Sequence, residues 1–191
     1  MRSDILKKNA ETLPHRALLM SAGVTREDLK AGKPFIGVAN SHNDIIPGHV
    51  HLNMLTQEVK RGVRDAGGIP FEWGVPGVCD GIAMSVEMRL SLPSREHIAE
   101  NIEIMVLSHS LDGWVGVTNC DKITPGMLMA AARINLPAVI LTGGPMKAKV
   151  VEGKKYHPIQ GFSMVGRIKT GDMTLEEAEN ILPCMACGAG S

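Results

Sequence analysis

Four short runs of apolar, largely β-branched residues recur along the chain, and helical patterns alternate with them. The runs cover residues 33–39, 69–73, 114–117 and 138–141. Between and beside them, apolar residues repeat at spacings of three and four over residues 50–64, 94–109 and 124–135, which predicts amphipathic helices. Strands that alternate with helices in this way form a mostly parallel sheet flanked by helices. We therefore predict a three-layer α/β fold.

The remaining segments are less regular. Residues 82–89 are predicted to form a short helix, and the capping-box pattern from Thr174 to Glu177 predicts another helix that ends near residue 182. Residues 1–13 are polar and are predicted to form an arm. Residues 146–172 carry several lysines and are predicted to be an irregular, solvated excursion.

Composition excludes several classes of protein. The 191 residues include twenty basic and twenty acidic side chains, so the chain carries no net charge. No basic stripe is interleaved with aromatic residues, which argues against nucleic-acid binding. No apolar stretch has the length of a transmembrane span, and the first residues lack the apolar core of a secretory signal. We expect a cytoplasmic protein that binds neither membrane nor nucleic acid.

The four cysteines are expected to be free thiols or metal ligands, because disulfides are rare in a reducing compartment. They are Cys79, Cys120, Cys184 and Cys187. The Cys184-x-x-Cys187 spacing is typical of half a zinc site or of a redox pair, but the chain has no second pair to complete four zinc ligands. The glycine-rich turn over residues 187–191 leads into no further element, which suggests a piece of a longer protein.

Polar residues that suit metal chemistry follow three of the predicted strands. They lie in residues 40–49, at Asp80 next to Cys79, and in the tripeptide Cys120-Asp121-Lys122. Ligands of open α/β sheets bind at the carboxyl ends of strands. Carboxylates suit magnesium and a thiolate suits iron, whereas a lysine becomes an oxygen ligand only as a carbamate. Residue types leave a second interpretation open, in which Cys120 is buried beside a surface Asp–Lys pair and Asp80 is a turn residue.

Two other motif classes receive less weight. His42, His49 and His51 lie close together, and we interpret them as polar loop groups or substrate contacts rather than as a zinc triad. The sequence contains neither a Walker phosphate loop nor a G-x-G-x-x-G fingerprint.

Five long blocks resemble one known family over almost the whole chain. The blocks cover residues 34–41, 43–51, 77–84, 91–96 and 112–129, and the longest contains the run Thr-Asn-Cys-Asp-Lys-Ile-Thr-Pro-Gly-Met. They resemble the N-terminal part of the dihydroxy-acid and 6-phosphogluconate dehydratase family. The resemblance implies an incomplete N-terminal α/β domain over residues 1–191, with the C-terminal domain absent.

The resemblance also implies an activity and its cofactors. Family members are lyases that remove water from a dihydroxy acid, and the blocks at residues 45–49 and 91–96 look most like the branch that converts 2,3-dihydroxy-3-methyl carboxylates into 2-oxo acids in valine and isoleucine biosynthesis. By this resemblance Cys120 ligates a 2Fe-2S or 4Fe-4S iron–sulfur cluster. Asp80, Asp121 and Lys122 (as a carbamate) bind Mg²⁺.

Departures from the family pattern leave some of the site residues undetermined. Some members carry a cluster cysteine where this chain has Gly48, and the later cluster cysteine and the proton-abstracting serine are expected beyond Ser191. The fragment is therefore expected to be inactive without the rest of the protein, and to belong to a homodimer or larger homo-oligomer. Three alternatives stay open: a 6-phosphogluconate or sugar-acid dehydratase, a non-catalytic module that binds a small acid, and a zinc protein that uses Cys184 and Cys187.

Overall fold

A computed structural model describes residues 1–84 and 87–190 of the chain. These residues divide into two units, Met1–Gly143 and Gly144–Ser191. In the described part of the chain, no helix combines the length and the apolar character needed to cross a bilayer.

The first unit is built on a four-stranded parallel sheet with the strand order β2-β1-β3-β4. The strands are β1 (Phe35–Asn40), β2 (Ile69–Gly74), β3 (Gly113–Thr118) and β4 (Ala138–Thr142). They coincide with the four predicted runs to within about two residues at each end. Because β2 and β3 lie on opposite sides of β1, the order reverses between β1 and β3. Such a reversal creates a crevice at the carboxyl ends of the two strands.

Helices cover both faces of this sheet, which confirms the three-layer α/β prediction. The helix α4 (Leu52–Asp65) lies on one face, where Leu52 packs with Val38 and Val117. The helices α6 (Ser94–Ser108) and α7 (Ile123–Ile134) lie on the other face, with Trp114 in their core. Neighbouring strand residues point to opposite faces, so a strand with apolar residues throughout can supply both cores.

The first thirteen residues do not form the predicted arm. They contain α1 (Asp4–Lys8), a 3₁₀ turn at Ala10–Thr12 and the start of α2 (Leu13–Ser21), and α3 (Arg26–Lys30) follows. The Asp112 carboxylate accepts hydrogen bonds from Ser3 N (3.0 Å) and Ser3 Oγ (2.5 Å). The buried Lys7 donates to the carbonyl of Lys33 (2.5 Å). Ser3 and Lys7 therefore serve as buried hydrogen-bond donors, which the polar composition of the segment did not indicate.

The predicted helix over residues 82–89 is only partly described. Residues Asp80–Ala83 form the short helix α5 and Met88–Leu90 form a 3₁₀ turn, while residues 85 and 86 lie outside the described residues.

The second unit contains regular structure where the sequence predicted an irregular excursion. The strands β5 (Lys149–Val151) and β6 (Lys154–Tyr156) form an antiparallel hairpin, and α8 (Gln160–Thr170) follows. The hairpin turn has Glu152 and Gly153 at positive φ (49° and 77°), a conformation for which Glu-Gly is a weaker signal than Asn-Gly. The predicted capping box is confirmed, because Thr174 Oγ1 accepts from Glu177 N at the start of α9 (Leu175–Met185).

Candidate functional site

Three loops lie at the carboxyl edge of the parallel sheet in the first unit. Loop 1 (residues 41–51) follows β1, loop 2 (residues 75–79) follows β2, and loop 3 (residues 119–122) follows β3. Parallel strands bring their carboxyl ends to the same edge, so the three polar segments predicted from the sequence share one side of the sheet.

Hydrogen bonds connect loop 1 to β3 and to loop 3. Ser41 donates from its backbone nitrogen (3.1 Å) and its hydroxyl (2.9 Å) to the carbonyl of Val117. The side chain of Asn119 donates to the carbonyl of Gly48 over 3.0 Å, and both groups are buried. The two loops on either side of the crevice are therefore fixed to each other by buried contacts.

Loop 2 packs closely onto loop 1 and the first residue of α7 through Gly77. A Cβ atom at this position would lie 2.6 Å from Cδ1 of Ile123 and 3.1 Å from Cδ1 of Ile46. Ile123 begins α7 and Ile46 belongs to loop 1, and both side chains are fully buried. The absence of a side chain at Gly77 therefore lets loop 2, which leads directly into Asp80, approach loop 3.

Lys122 lies between two carboxylates at this edge. Its Nζ is 2.7 Å from Oδ2 of Asp80 and 2.6 Å from Oδ2 of Asp121. The hydrogen bond to Asp121, followed by that to Asp80, raises the pKa of the Lys122 ammonium. Burial raises the pKa of Asp80, but hydrogen bonds from Lys122 and Ser91 outweigh burial, and the pKa lies below its usual value. In the unmodified chain these three groups form an ion-pair cluster with two carboxylates and one ammonium.

Asp80 has a second partner that the sequence did not suggest. The hydroxyl of Ser91 donates to Oδ1 of Asp80, so each oxygen of this carboxylate has its own hydrogen-bond donor. Ser91 is only 2% exposed, and its carbonyl accepts a hydrogen bond from Ser94 Oγ at the start of α6 (2.6 Å).

Cys120 has a left-handed backbone conformation, with φ of 65°. A residue with a side chain costs about 1–2 kcal/mol in this region, and such strain is concentrated at functional sites. The residue is half-buried and packs against the core that contains Ile46 and Ile123. Its carbonyl accepts from Thr124 N (3.3 Å) in the first turn of α7. This hydrogen bond connects the strained residue to the start of α7.

The three histidines of loop 1 have separate partners. The fully buried His49 contacts the carbonyl of Ser41 through Nδ1 (2.5 Å), and burial lowers its pKa. His51 contacts the carbonyl of Gly143 through Nε2 (2.9 Å), and His42 lies 3.4 Å from Asp44. These contacts agree with the interpretation of the histidines as polar loop groups.

The donor atoms at this edge fit magnesium better than they fit a complete iron–sulfur site. Asp80 and Asp121 offer oxygen ligands that converge on one point, and a carbamate at Lys122 would add a third oxygen group. Across residues 1–84 and 87–190, no group of three or more His, Cys, Asp and Glu side chains is arranged to hold a metal ion. The described residues thus place two carboxylates around one amine, and the thiol of Cys120 precedes Asp121 in the same loop.

The sequence of residues 33–191 matches a family model that covers most of the chain. The model describes the N-terminal region of dihydroxy-acid/6-phosphogluconate dehydratases. The chain belongs to the dihydroxy-acid/6-phosphogluconate dehydratase family. The family resemblance of the five sequence blocks is therefore confirmed.

Members of this dehydratase family from bacteria and archaea match the chain over its entire length. Dihydroxy-acid dehydratase from Ruminiclostridium cellulolyticum is 52% identical over 194 residues, which is 100% of this chain and 35% of the relative. The proteins of the same name from Caldanaerobacter subterraneus and Methanosarcina barkeri are 52% and 50% identical over 100% of this chain and 34% of their own lengths. The chain thus spans about a third of the length of the curated relatives it matches.

The structure brings together three of the four predicted site residues of this dehydratase chain. Asp80, Asp121 and Lys122 are in direct contact, and Cys120 precedes Asp121 in the same loop. Cys184 and Cys187 belong to the second unit, where Cys187 Sγ donates to the carbonyl of Tyr156 (3.5 Å). The two cysteines have no set of additional ligands among the described residues that would support a zinc site.

Sequence reasoning missed the roles of Ser91 and Asn119. Both lie within blocks that resemble the family, at residues 91–96 and 112–129, but residue type gave no reason to choose them. Serine and asparagine are common in loops and at helix starts, so their buried contacts become visible only in the folded chain.

Proposed function

We propose that the protein containing this chain is a hydro-lyase that removes water from a 2,3-dihydroxy carboxylate to give a 2-oxo acid. The observation that carries the proposal is the convergence of Asp80 and Asp121 on Lys122, because Asp80 begins α5 and lies 42 residues away from Lys122 in the sequence. Membership of the dehydratase family supports it independently. The activity of the whole protein belongs to this proposal, since the chain spans 35% of its first relative.

The proposal assigns a role to each site residue. Asp80, Asp121 and a carbamate on Lys122 would hold Mg²⁺, and Cys120 would be one ligand of an iron–sulfur cluster. When bound, magnesium supplies charge stabilisation at the substrate carboxylate and 2-hydroxyl, and an open cluster iron supplies a Lewis acid for the 3-hydroxyl. The carbamate would replace the positive charge of Lys122 with oxygens, so the ion-pair cluster would become an entirely oxygen-donating site.

The remaining residues of the edge would keep this site rigid. The bond from Asn119 to Gly48 and the close packing at Gly77 fix loops 1, 2 and 3 relative to one another. Side chains held by packing and by further hydrogen bonds need little reorganisation when charge develops on a substrate. We infer that the three loops provide a preorganised wall for a small, anionic substrate.

Within the family we propose the branched-chain substrates, 2,3-dihydroxy-3-methyl carboxylates, and with them a place in valine and isoleucine biosynthesis. The blocks at residues 45–49 and 91–96 support this branch, as do relatives whose name is dihydroxy-acid dehydratase. A protein of the sugar-acid branch would instead turn over 6-phosphogluconate. Assays with both substrates distinguish the two branches.

We also propose that residues 1–191 by themselves have no dehydratase activity. Over residues 1–84 and 87–190, no group of three or more His, Cys, Asp and Glu side chains is arranged for a metal ion, so the proposed metal site is incomplete in this part of the protein. A non-catalytic module that binds a small acid would share this inactivity, but the full-length protein would then be inactive as well. Comparison of the two lengths in one assay therefore separates the two functions.

The deciding experiment is a dehydration assay on the anaerobically purified full-length protein with an Asp121→Asn variant. The expected result is turnover of 2,3-dihydroxy-3-methylbutanoate by the wild type and a loss of at least about 100-fold in kcat/KM in the variant. Asp65→Asn is the matched control, because Asp65 is exposed at the end of α4 and lies outside the three loops. Near-normal activity of Asp121→Asn would exclude Asp121 from the site.

A parallel analysis of iron and sulfide tests the role of Cys120. Cys120→Ser should reduce the iron content, whereas Cys79→Ser should retain it. A colourless, iron-free wild type with full turnover would overturn the cluster assignment.

A further inference from the structure

Asp80 is carried by a segment that has few anchors of its own. It begins α5, a helix of four residues in which no residue is buried. Its carboxylate accepts hydrogen bonds from other parts of the chain, from Lys122 at Oδ2 and from Ser91 at Oδ1. The orientation of the carboxylate is therefore set by these partners rather than by α5.

Ser91 is suited to hold a carboxylate because it is itself held firmly. It is 2% exposed, its backbone nitrogen donates to the carbonyl of Met88 (3.0 Å), and its own carbonyl accepts from Ser94 Oγ (2.6 Å). A buried hydroxyl with fixed backbone neighbours has few alternative directions.

The packing of α6 on α7 brings Ser91 close to the proposed metal site. Ser91 lies three residues before α6 begins, and Lys122 immediately precedes α7. The two helices approach closely at Gly126, where a Cβ would lie 2.9 Å from Cβ of Ile98 and 3.0 Å from the carbonyl of Arg95. The residues that lead into the two helices thus donate to the two oxygens of Asp80.

We propose that Ser91 is a positioning residue for the metal site, which orients Asp80 by donating to Oδ1 and leaves Oδ2 directed at the position of the Lys122 nitrogen. This inference rests on the proposed function, because it assumes that Asp80 is a magnesium ligand. Ser91 does not contact the metal or the substrate. Its effect on metal affinity passes entirely through Asp80.

The test is calorimetric titration of Mg²⁺ into the full-length protein containing this chain. Ser91→Ala should weaken Mg²⁺ binding by about 10- to 100-fold, the usual effect of removing a partner that orients a metal ligand. Ser108→Ala, at the exposed far end of α6, should stay within about twofold of the wild type. Ser91→Cys, which fills the same space with a weak donor, should behave like Ser91→Ala and replaces it if the alanine variant does not fold.

The same substitution made in an Asp80→Asn protein distinguishes a positioning role of Ser91 from a general effect on the structure. In Asp80→Asn, the additional change Ser91→Ala should cause no further loss of Mg²⁺ affinity, because the carboxylate that Ser91 orients is already gone. The same loss in both backgrounds, or an affinity of Ser91→Ala within twofold of the wild type, would overturn the inference. A wild type without saturable Mg²⁺ binding would instead remove the proposed function, and with it this inference.

Discussion

The amide of Asn119 bridges two loops by donating a hydrogen bond to the carbonyl of Gly48, 71 residues earlier in the chain. The bond crosses the crevice between β1 and β3, where the strand order of the sheet reverses. Asn119 also directly precedes the strained Cys120 in the sequence. The geometry of the candidate site therefore depends on a buried polar contact outside the ion-pair cluster.

Removal of this amide should destabilise the fold. Asn119→Ala leaves the buried carbonyl of Gly48 without its donor, which costs about 1–3 kcal/mol of unfolding free energy. Urea denaturation measures the loss. Asn180→Ala, at an exposed position of α9, should change stability by less than about 0.5 kcal/mol. Equal stability of the two variants would show that the bridge contributes nothing.

The close approach of α6 and α7 makes Gly126 sensitive to any side chain. Gly126→Ala should destabilise the protein by about 1–3 kcal/mol, because its Cβ would meet Ile98 at 2.9 Å. Gly62→Ala in α4 has no atom within 4 Å of its new Cβ and should stabilise the protein by about 0.5–1 kcal/mol. Thermal unfolding of both variants measures these opposite changes in stability. Stabilisation by Gly126→Ala would contradict the close packing.

The backbone of Cys120 should favour glycine over alanine. Both Cys120→Gly and Cys120→Ala lose the thiol, but only glycine relieves the positive φ, so the glycine variant should be more stable by about 0.5–1 kcal/mol. At Cys184, which lies within the helix α9, the order should be reversed, because glycine destabilises a helix relative to alanine. Denaturant midpoints of the four variants test this, and a Cys120→Ala variant at least as stable as Cys120→Gly would contradict the prediction.

The contacts of Asp112 predict how stability depends on pH. Burial raises the pKa of Asp112, but hydrogen bonds from Ser3 and Phe35 and the charge of Lys7 outweigh it, and the pKa lies below the usual 3.8. Well above pH 3.8, the ionised carboxylate therefore makes its full contribution to the stability of the folded state. This contribution is lost as the pH falls from 3.8 through the lower pKa of the folded state. The stability advantage of the wild type over Asp112→Asn should shrink over that range. A constant difference would contradict this assignment.

The sequence was sufficient to predict the sheet and the edge of the sheet where Asp80, Asp121 and Lys122 meet. Strand and helix periodicities are set by which residues must be buried, so β1 to β4 and the helices around them could be read directly. The convergence of Asp80 with Asp121 and Lys122 follows from the rule that parallel strands share a carboxyl edge.

The features that could not be predicted depend on contacts between distant parts of the chain. Ser3 and Lys7 belong to a polar segment, and only the position of Asp112, 109 residues from Ser3, turns that segment into a packed element. Ser91 acquires its partner because α6 and α7 pack at Gly126, and neither residue type nor spacing reveals that distance. The hairpin at Glu152 and Gly153 lacks the usual turn residues.

The central claim is that Asp80 and Asp121 bind the same cation, and a double-mutant cycle on Mg²⁺ affinity tests it most directly. Mg²⁺ is titrated calorimetrically into the full-length wild type, Asp80→Asn, Asp121→Asn and the double variant. Ligands of one cation are energetically coupled, so the loss in the double variant should be clearly smaller than the product of the two single losses. A double variant whose loss equals that product, or single variants with wild-type affinity, would contradict the claim.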